Sequence, residues 1–105
     1  MQAFTYQSGK LFAEGVSVED LALRYGTPLY VYSRNHIRNQ YRAIASAMAD
    51  VKPMICYSVK ANSNATVIKT LILEGAGFDI VSGGELFRAL RAGAEANKIV
   101  FAGVG

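Results

Sequence analysis

A chain of 105 residues, 51% of them apolar and 18% charged, is one domain's worth at most and carries enough apolar side chain to fold. Eleven Lys and Arg against eight Asp and Glu leave a formal charge of +3, spread along the chain without a basic run, so no nucleic-acid partner is expected. A single cysteine excludes an internal disulfide, one His beside one Cys argues against a zinc site, and no apolar stretch is long enough to span a bilayer, so neither a metal nor a membrane is expected.

The first ten residues lack the basic-then-apolar order of a signal peptide, and a reducing, cytoplasmic setting is the default expectation. Residues 4–16 mix aromatics with the turn residues Ser8-Gly9-Lys10 and Glu14-Gly15, which suggests a short strand or hairpin. Ser17 reads as an N-cap with Asp20 three residues later, and Val18, Leu21, Ala22 and Tyr25 recur at helical spacing. Gly26 closes that helix, Pro28 prevents its extension, and Leu29 to Tyr32 is β-prone. Ser33 can cap a second helix over roughly 34–50, with Ile37, Tyr41, Ile44 and Met48 as its apolar stripe. Arg34, Arg38 and Arg42 line another face; a solvated face is the favoured reading and phosphate binding the second. His36, the only histidine, lies on this helix and is not expected in a site.

After Pro53 the pattern changes. Met54 to Val59 is a strand candidate, with Cys56 expected as a buried thiol. Asn64 to Glu74 is helical, with Val67, Ile68, Leu71 and Ile72 inward and Gly75 as its stop. Phe78 to Val81 forms a second strand, residues 84–92 a helix with Leu86, Phe87 and Leu90 inward, Gly93 its end, and Ile99 to Ala102 a third strand. Strand and helix alternate, which predicts an α/β fold with a parallel sheet and right-handed crossovers. A sheet of three parallel strands needs more strands or closure. The sequence stops at Gly103-Val104-Gly105, where a loop should begin, so it is expected to be truncated relative to a longer protein.

Lys60 follows the first of these strands, and ligands in parallel α/β folds gather at the C-terminal strand ends. By strand parity an inward Lys60 shares its face with Ser58, Cys56 and Met54, while Ile55, Tyr57 and Val59 face the helices. A desolvated lysine has a depressed pKa and can form a Schiff base with a carbonyl. Asp79 has the same inward parity near the end of the second strand. Ser82 and Glu85 have the spacing of a capping box, which explains both without chemistry, and Gly83 and Gly84 would allow a close backbone approach.

Three motifs carry a resemblance. Tyr57-Ser58-Val59-Lys60-Ala61-Asn62 resembles the cofactor-lysine motif of the pyridoxal-phosphate enzymes with an alanine racemase-like barrel (fold type III), in their decarboxylase branch. Gly26-Thr27-Pro28-Leu29-Tyr30-Val31-Tyr32 is similar to an N-terminal signature of the diaminopimelate decarboxylases, and Gly75-Ala76-Gly77-Phe78-Asp79-Ile80-Val81-Ser82-Gly83-Gly84-Glu85-Leu86 to that family's second strand and loop. The resemblance implies a (β/α)8 TIM barrel joined to a β-domain, with residues 1–32 in the β-domain and 33–105 the first part of the barrel. It implies pyridoxal 5'-phosphate as cofactor, held on Lys60 as a Schiff base, with Asp79 close to the cofactor and the lysine. It further implies decarboxylation of meso-2,6-diaminopimelate to L-lysine by a homodimer in lysine biosynthesis, with this stretch inactive alone. The rival readings are a decarboxylase of carboxynorspermidine, ornithine or arginine, and a non-catalytic pyridoxal-phosphate carrier barrel.

Overall fold

The computed structural model of the chain describes residues 2–104. Met1 and Gly105, the outer ends of the expected 1–32 and 33–105 segments and the last residue of the expected terminal loop, lie outside the described residues. The chain divides into two compact units, Met1–His36 and Ile37–Gly105.

In the first unit, β1 (Phe4–Gln7), β2 (Lys10–Ala13) and β3 (Val16–Ser17) form an antiparallel sheet in the order β1-β2-β3. The expected hairpin is thus a three-stranded meander. Ser8-Gly9 and Glu14-Gly15 supply two consecutive positive φ angles at each reversal, 50° and 78°, then 52° and 93°, as two-residue hairpin turns require. α1 (Val18–Tyr25) starts where the Ser17 side chain accepts the Asp20 N–H, and it ends at Gly26 with φ 83°. Thr27-Pro28 is a cis peptide. Leu29 to Tyr32, β-prone by composition, joins no sheet among the described residues. Propensity can extend a backbone, whereas a strand exists only where a second one completes its ladder.

α2 (Arg34–Ala47) begins on a buried Ser33, whose hydroxyl accepts the His36 N–H at 3.0 Å. Ser33 in turn donates to Glu14 Oε1 at 2.5 Å, and the same oxygen accepts the Asn35 N–H at 2.7 Å. A carboxylate at a helix N-terminus meets unpaired N–H groups and the positive end of the helix dipole. The Ser33 hydroxyl, then the Asn35 amide, hold the Glu14 carboxyl below its ordinary range.

In the second unit, β4 (Cys56–Ser58), β5 (Gly77–Ile80) and β6 (Ile99–Phe101) form a parallel sheet in sequential order, with α3 (Ala65–Glu74) and α4 (Gly83–Ala92) as crossovers. This is the alternation read from the sequence. The register pairs Cys56 with Gly77, Tyr57 with Phe78 and Ser58 with Asp79, then Phe78 with Ile99 and Asp79 with Val100. Side chains alternate across the sheet. Phe78 and Ile80 join Val59, Val67, Ile68, Leu71 and Ala89 in the core under the helices, with Tyr57 packed against it. Tyr57 and Phe78 meet edge to face at 6.3 Å. Cys56, Ser58, Gly77 and Asp79 therefore occupy the opposite face.

Two expected faces and one expected burial differ. On α4 the buried residues are Ala89 and Ala92, while Phe87 is 61% exposed and Leu86 and Leu90 are also exposed. The small Ala89 and Ala92 are the α4 side chains that join the cluster holding Phe78, Ile68 and Val59. On α2 only Ile37 and Tyr41 of the expected stripe pack against the core; Ile44 and Met48 are exposed. Cys56 is half-buried rather than buried.

The arginine face of α2 is exposed at Arg34 and Arg42, as the solvated reading expects, and two of its three arginines also hold an acid. Arg38 Nε reaches Glu74 Oε1 at 2.8 Å, and Arg42 grips both oxygens, Nε to Oε2 at 2.6 Å and Nη2 to Oε1 at 3.0 Å. Glu74, its side chain 9% exposed, ends α3, where the negative end of the dipole disfavours an acid. Two guanidiniums reverse that penalty: Arg42 first, then Arg38, pull the Glu74 carboxyl below its usual range, and Glu74 raises the Arg42 guanidinium.

Among the described residues no helix is long and apolar enough to cross a membrane, and no cluster of His, Cys, Asp and Glu could hold a metal ion.

Candidate functional site

The C-terminal ends of β4 and β5 carry the polar groups that the sequence singles out. β4 is shorter than the strand expected from the sequence. It ends at Ser58, and Val59–Ala61 form a single turn of 3-10 helix that contains Lys60. The two-residue period therefore places Ser58 and Cys56 on the inner face but stops before Lys60. The turn, rather than strand parity, aims the lysine. Lys60 is exposed in this chain, so the desolvation expected for a Schiff-base lysine is not supplied by the residues described here.

The mount of Lys60 is well tied. Val59, the preceding residue, is fully buried in the core. Tyr57, three residues before the lysine, donates its hydroxyl to the carbonyl of Asn62, two residues after it, at 2.9 Å. Asn62 Oδ1 accepts the Asn64 N–H at 3.0 Å. Asn64 then caps α3, its Oδ1 accepting the N–H groups of Thr66 at 2.8 Å and Val67 at 3.3 Å. Tyr57 and Asn62 stand in the motif around Lys60, yet their bracing role is visible only in three dimensions. A tyrosine in a strand and an asparagine in a loop have many possible partners.

Asp79 lies opposite Ser58 in the β4–β5 register. The Ser58 hydroxyl donates to Asp79 Oδ2 at 3.1 Å. Oδ1 of the same carboxylate is buried and has no hydrogen-bond partner among the described residues. A buried acceptor left open is costly, and such an atom marks a place where a donor belongs. Ser58, Asp79 and the Lys60 turn thus share one end of the parallel sheet, on or beside the face turned away from the helices.

Ser82 and Glu85 have structural work. The Ser82 hydroxyl accepts the Glu85 N–H at 3.1 Å, and Glu85 Oε2 lies 3.5 Å from the same hydroxyl. Glu85 Oε1 accepts the Val81 N–H at 3.2 Å, one residue before the donor that a regular capping box uses. A side-chain atom at Gly83 would meet nothing within 4 Å. His36 stands at the start of α2, in the first unit.

A glycine matters below the site. A Cβ at Gly77 would lie 2.7 Å from the Lys98 carbonyl oxygen and 2.8 Å from Cys56 Sγ. The absence of a side chain lets β4, β5 and the 3-10 turn before β6 (Ala96–Lys98) approach closely at Gly77.

Known proteins share this fold. The family model described as pyridoxal-dependent decarboxylase, pyridoxal binding domain matches residues 34–105. The diaminopimelate decarboxylase of Pseudomonas fluorescens is 58% identical over all 105 residues, and that of Pseudomonas aeruginosa 55%. The crystal structure of diaminopimelate decarboxylase from M. jannaschii in co-complex with L-lysine superposes with a TM-score of 0.92 at 33% identity, over 97% of this chain. The chain spans 25% of the length of each of these relatives. Its fold is accordingly the N-terminal portion of their α/β barrel. The chain belongs to the pyridoxal-dependent decarboxylases and forms part of their pyridoxal-binding domain.

Proposed function

We propose that the protein carrying this sequence decarboxylates meso-2,6-diaminopimelate to L-lysine and carbon dioxide, with Lys60 holding pyridoxal phosphate. The observation that carries the reading is 58% identity over the whole chain to a diaminopimelate decarboxylase, with Lys60 at the end of the first parallel strand. The residues present fit the cofactor. An exposed lysine amine stands on a braced turn, and the neighbouring strand offers a buried carboxylate oxygen that lacks a donor.

Bound pyridoxal phosphate supplies an electron sink for the pair left behind when the carboxylate departs as carbon dioxide. Lys60 would anchor the cofactor through its amine and give up that place to the substrate amine. Its released amine is then free to carry a proton beside the reacting carbon. The Val59–Asn62 turn limits the search of that amine to one end of the sheet. Asp79 would face the bound nitrogen with its open oxygen and favour a protonated form there. Residues 1–32 would belong to a β-domain and 33–105 to the barrel. A homodimer in the cytoplasm, acting on a small amino acid, completes the reading; the family resemblance supports the dimer, and the L-lysine in the M. jannaschii complex supports the ligand class.

Borohydride reduction of the complete polypeptide with pyridoxal phosphate, followed by peptide mapping, tests the anchor. The label is expected on Lys60, and label on another lysine overturns the assignment. Carbon dioxide release from meso-diaminopimelate, ornithine, arginine and carboxynorspermidine tests the substrate. Preference for any of the last three overturns that part.

A further inference from the structure

We infer that Ser58 is a positioning residue: it holds the Asp79 carboxylate by one oxygen so that the other stays open to a protonated nitrogen at the sheet end. The inference rests on the reading of Lys60 as the cofactor lysine, and it adds a residue to which that reading gives no role.

The geometry supports it in three steps. The two residues are register partners, so their side chains leave adjacent strands on the same face at the same height. The Ser58 hydroxyl donates to Oδ2 at 3.1 Å, and a carboxylate with one oxygen so held can rotate less about its Cβ–Cγ bond. The oxygen left over, Oδ1, is buried and unpartnered. A chain with no donor for that atom leaves a buried acceptor unsatisfied. A bound N–H group restores the missing bond. The hydroxyl thus does two things that a methyl group could not: it satisfies one carboxylate oxygen, and it selects which one remains for the ligand.

The donor class follows from charge. A carboxylate oxygen in a partly desolvated place pairs best with a cationic N–H, which gives a shorter and stronger bond than a neutral donor. Lys60, on the turn that begins directly after Ser58, does not reach Oδ1 in this chain, so the donor that would fill that place is a protonated nitrogen of the bound cofactor or of the substrate amine. Ser58 itself touches neither; it acts through Asp79.

The test is a double-mutant cycle in the complete protein with S58A, D79N and S58A/D79N, plus S58T as the conservative variant. Two readouts are taken: the affinity of the apoprotein for pyridoxal phosphate, and kcat and KM for meso-diaminopimelate. S58A is expected to lose about tenfold in cofactor affinity or kcat, the size of one hydrogen bond to a charged group, with little change in KM. S58T should recover most of the loss. The double variant should be no worse than D79N, because a residue acting through Asp79 has nothing left to act on. Additive losses from S58A and D79N overturn the inference, as does an S58A protein that matches the wild type in both readouts. Should S58A fail to fold, S58C enters the same cycle. Wild-type protein inactive on meso-diaminopimelate would sink the substrate reading alone, because the cofactor-affinity cycle reports on Ser58 independently.

Discussion

Arg42 and Glu74, thirty-two residues apart, meet with Nε to Oε2 at 2.6 Å and Nη2 to Oε1 at 3.0 Å, a fork closed on both oxygens of one carboxylate. Arg38 joins from the preceding helical turn, so α2 is pinned to the last residue of α3. The fork makes Glu74 a pH-dependent tie. Because its carboxyl is held below the ordinary range in the folded chain, its stabilisation is complete above the unfolded carboxyl pKa. It fades as pH falls through the lower folded value. E74Q is expected to lower the denaturation midpoint at neutral pH, and the difference from the wild type should shrink steadily as the medium is acidified. Urea midpoints at several pH values check this; a difference that grows on acidification contradicts it.

Gly77→Ala should be destabilising by about 1–3 kcal/mol, because the new methyl overlaps the Lys98 carbonyl and Cys56 Sγ. Removing the sulfur with C56A relieves one overlap and leaves the backbone one. The C56A/G77A double variant should therefore recover only part of the loss. Full recovery would mean that the backbone around Lys98 gives way easily.

Ser82→Ala removes the N-cap of α4 and should cost about 1 kcal/mol of stability. S82T should cost less, since a hydroxyl remains to accept the Glu85 N–H. If Ser82 only caps the helix, cofactor affinity stays at the wild-type level in both. A loss of affinity without a loss of stability would give Ser82 a ligand role instead.

Tyr57→Phe deletes the bond from the tyrosine hydroxyl to the Asn62 carbonyl and leaves the ring's packing against Phe78 in place. It should cost about 0.5–1.5 kcal/mol of stability and loosen the Lys60 turn, weakening cofactor retention about fivefold. Retention equal to the wild type would mean that the buried Val59 alone holds the turn.

Ser17 and Ser82, each followed at three residues by an acid, were readable as helix starts because the donor they satisfy lies within one turn. Gly26, Gly75 and Gly93 were readable as stops for the same local reason, and each takes a positive φ. The alternation from Met54 to Ala102 exposed the parallel sheet, since successive apolar runs of strand length and helix length leave few topologies. The residues around Lys60 and Asp79 carried the family, because a motif is read in order along the chain.

Leu86, Phe87 and Leu90 have the spacing of an inward face, yet the buried residues of α4 among those described are Ala89 and Ala92. Leu29 to Tyr32 has strand propensity and no strand partner among the described residues. Periodicity tells which side chains share a face and says nothing of how much space awaits them.

By itself, then, the sequence determined the serine caps of α1 and α4, the glycine stops of α1, α3 and α4, the strand–helix alternation of the second unit and its parallel α/β class, and it supplied the lysine that the proposed function rests on. All of these depend on interactions that span a few residues or on motifs in linear order. Only the tertiary structure decided that two arginines of α2 close on Glu74, that Glu14 caps α2, that Tyr57 braces the Lys60 turn, and that Ser58 occupies one oxygen of Asp79 and leaves the other open. Each of these is a hydrogen bond or ion pair whose geometry must hold to within a few tenths of an ångström. Chain folding sets such distances, and no pattern in the linear order encodes them.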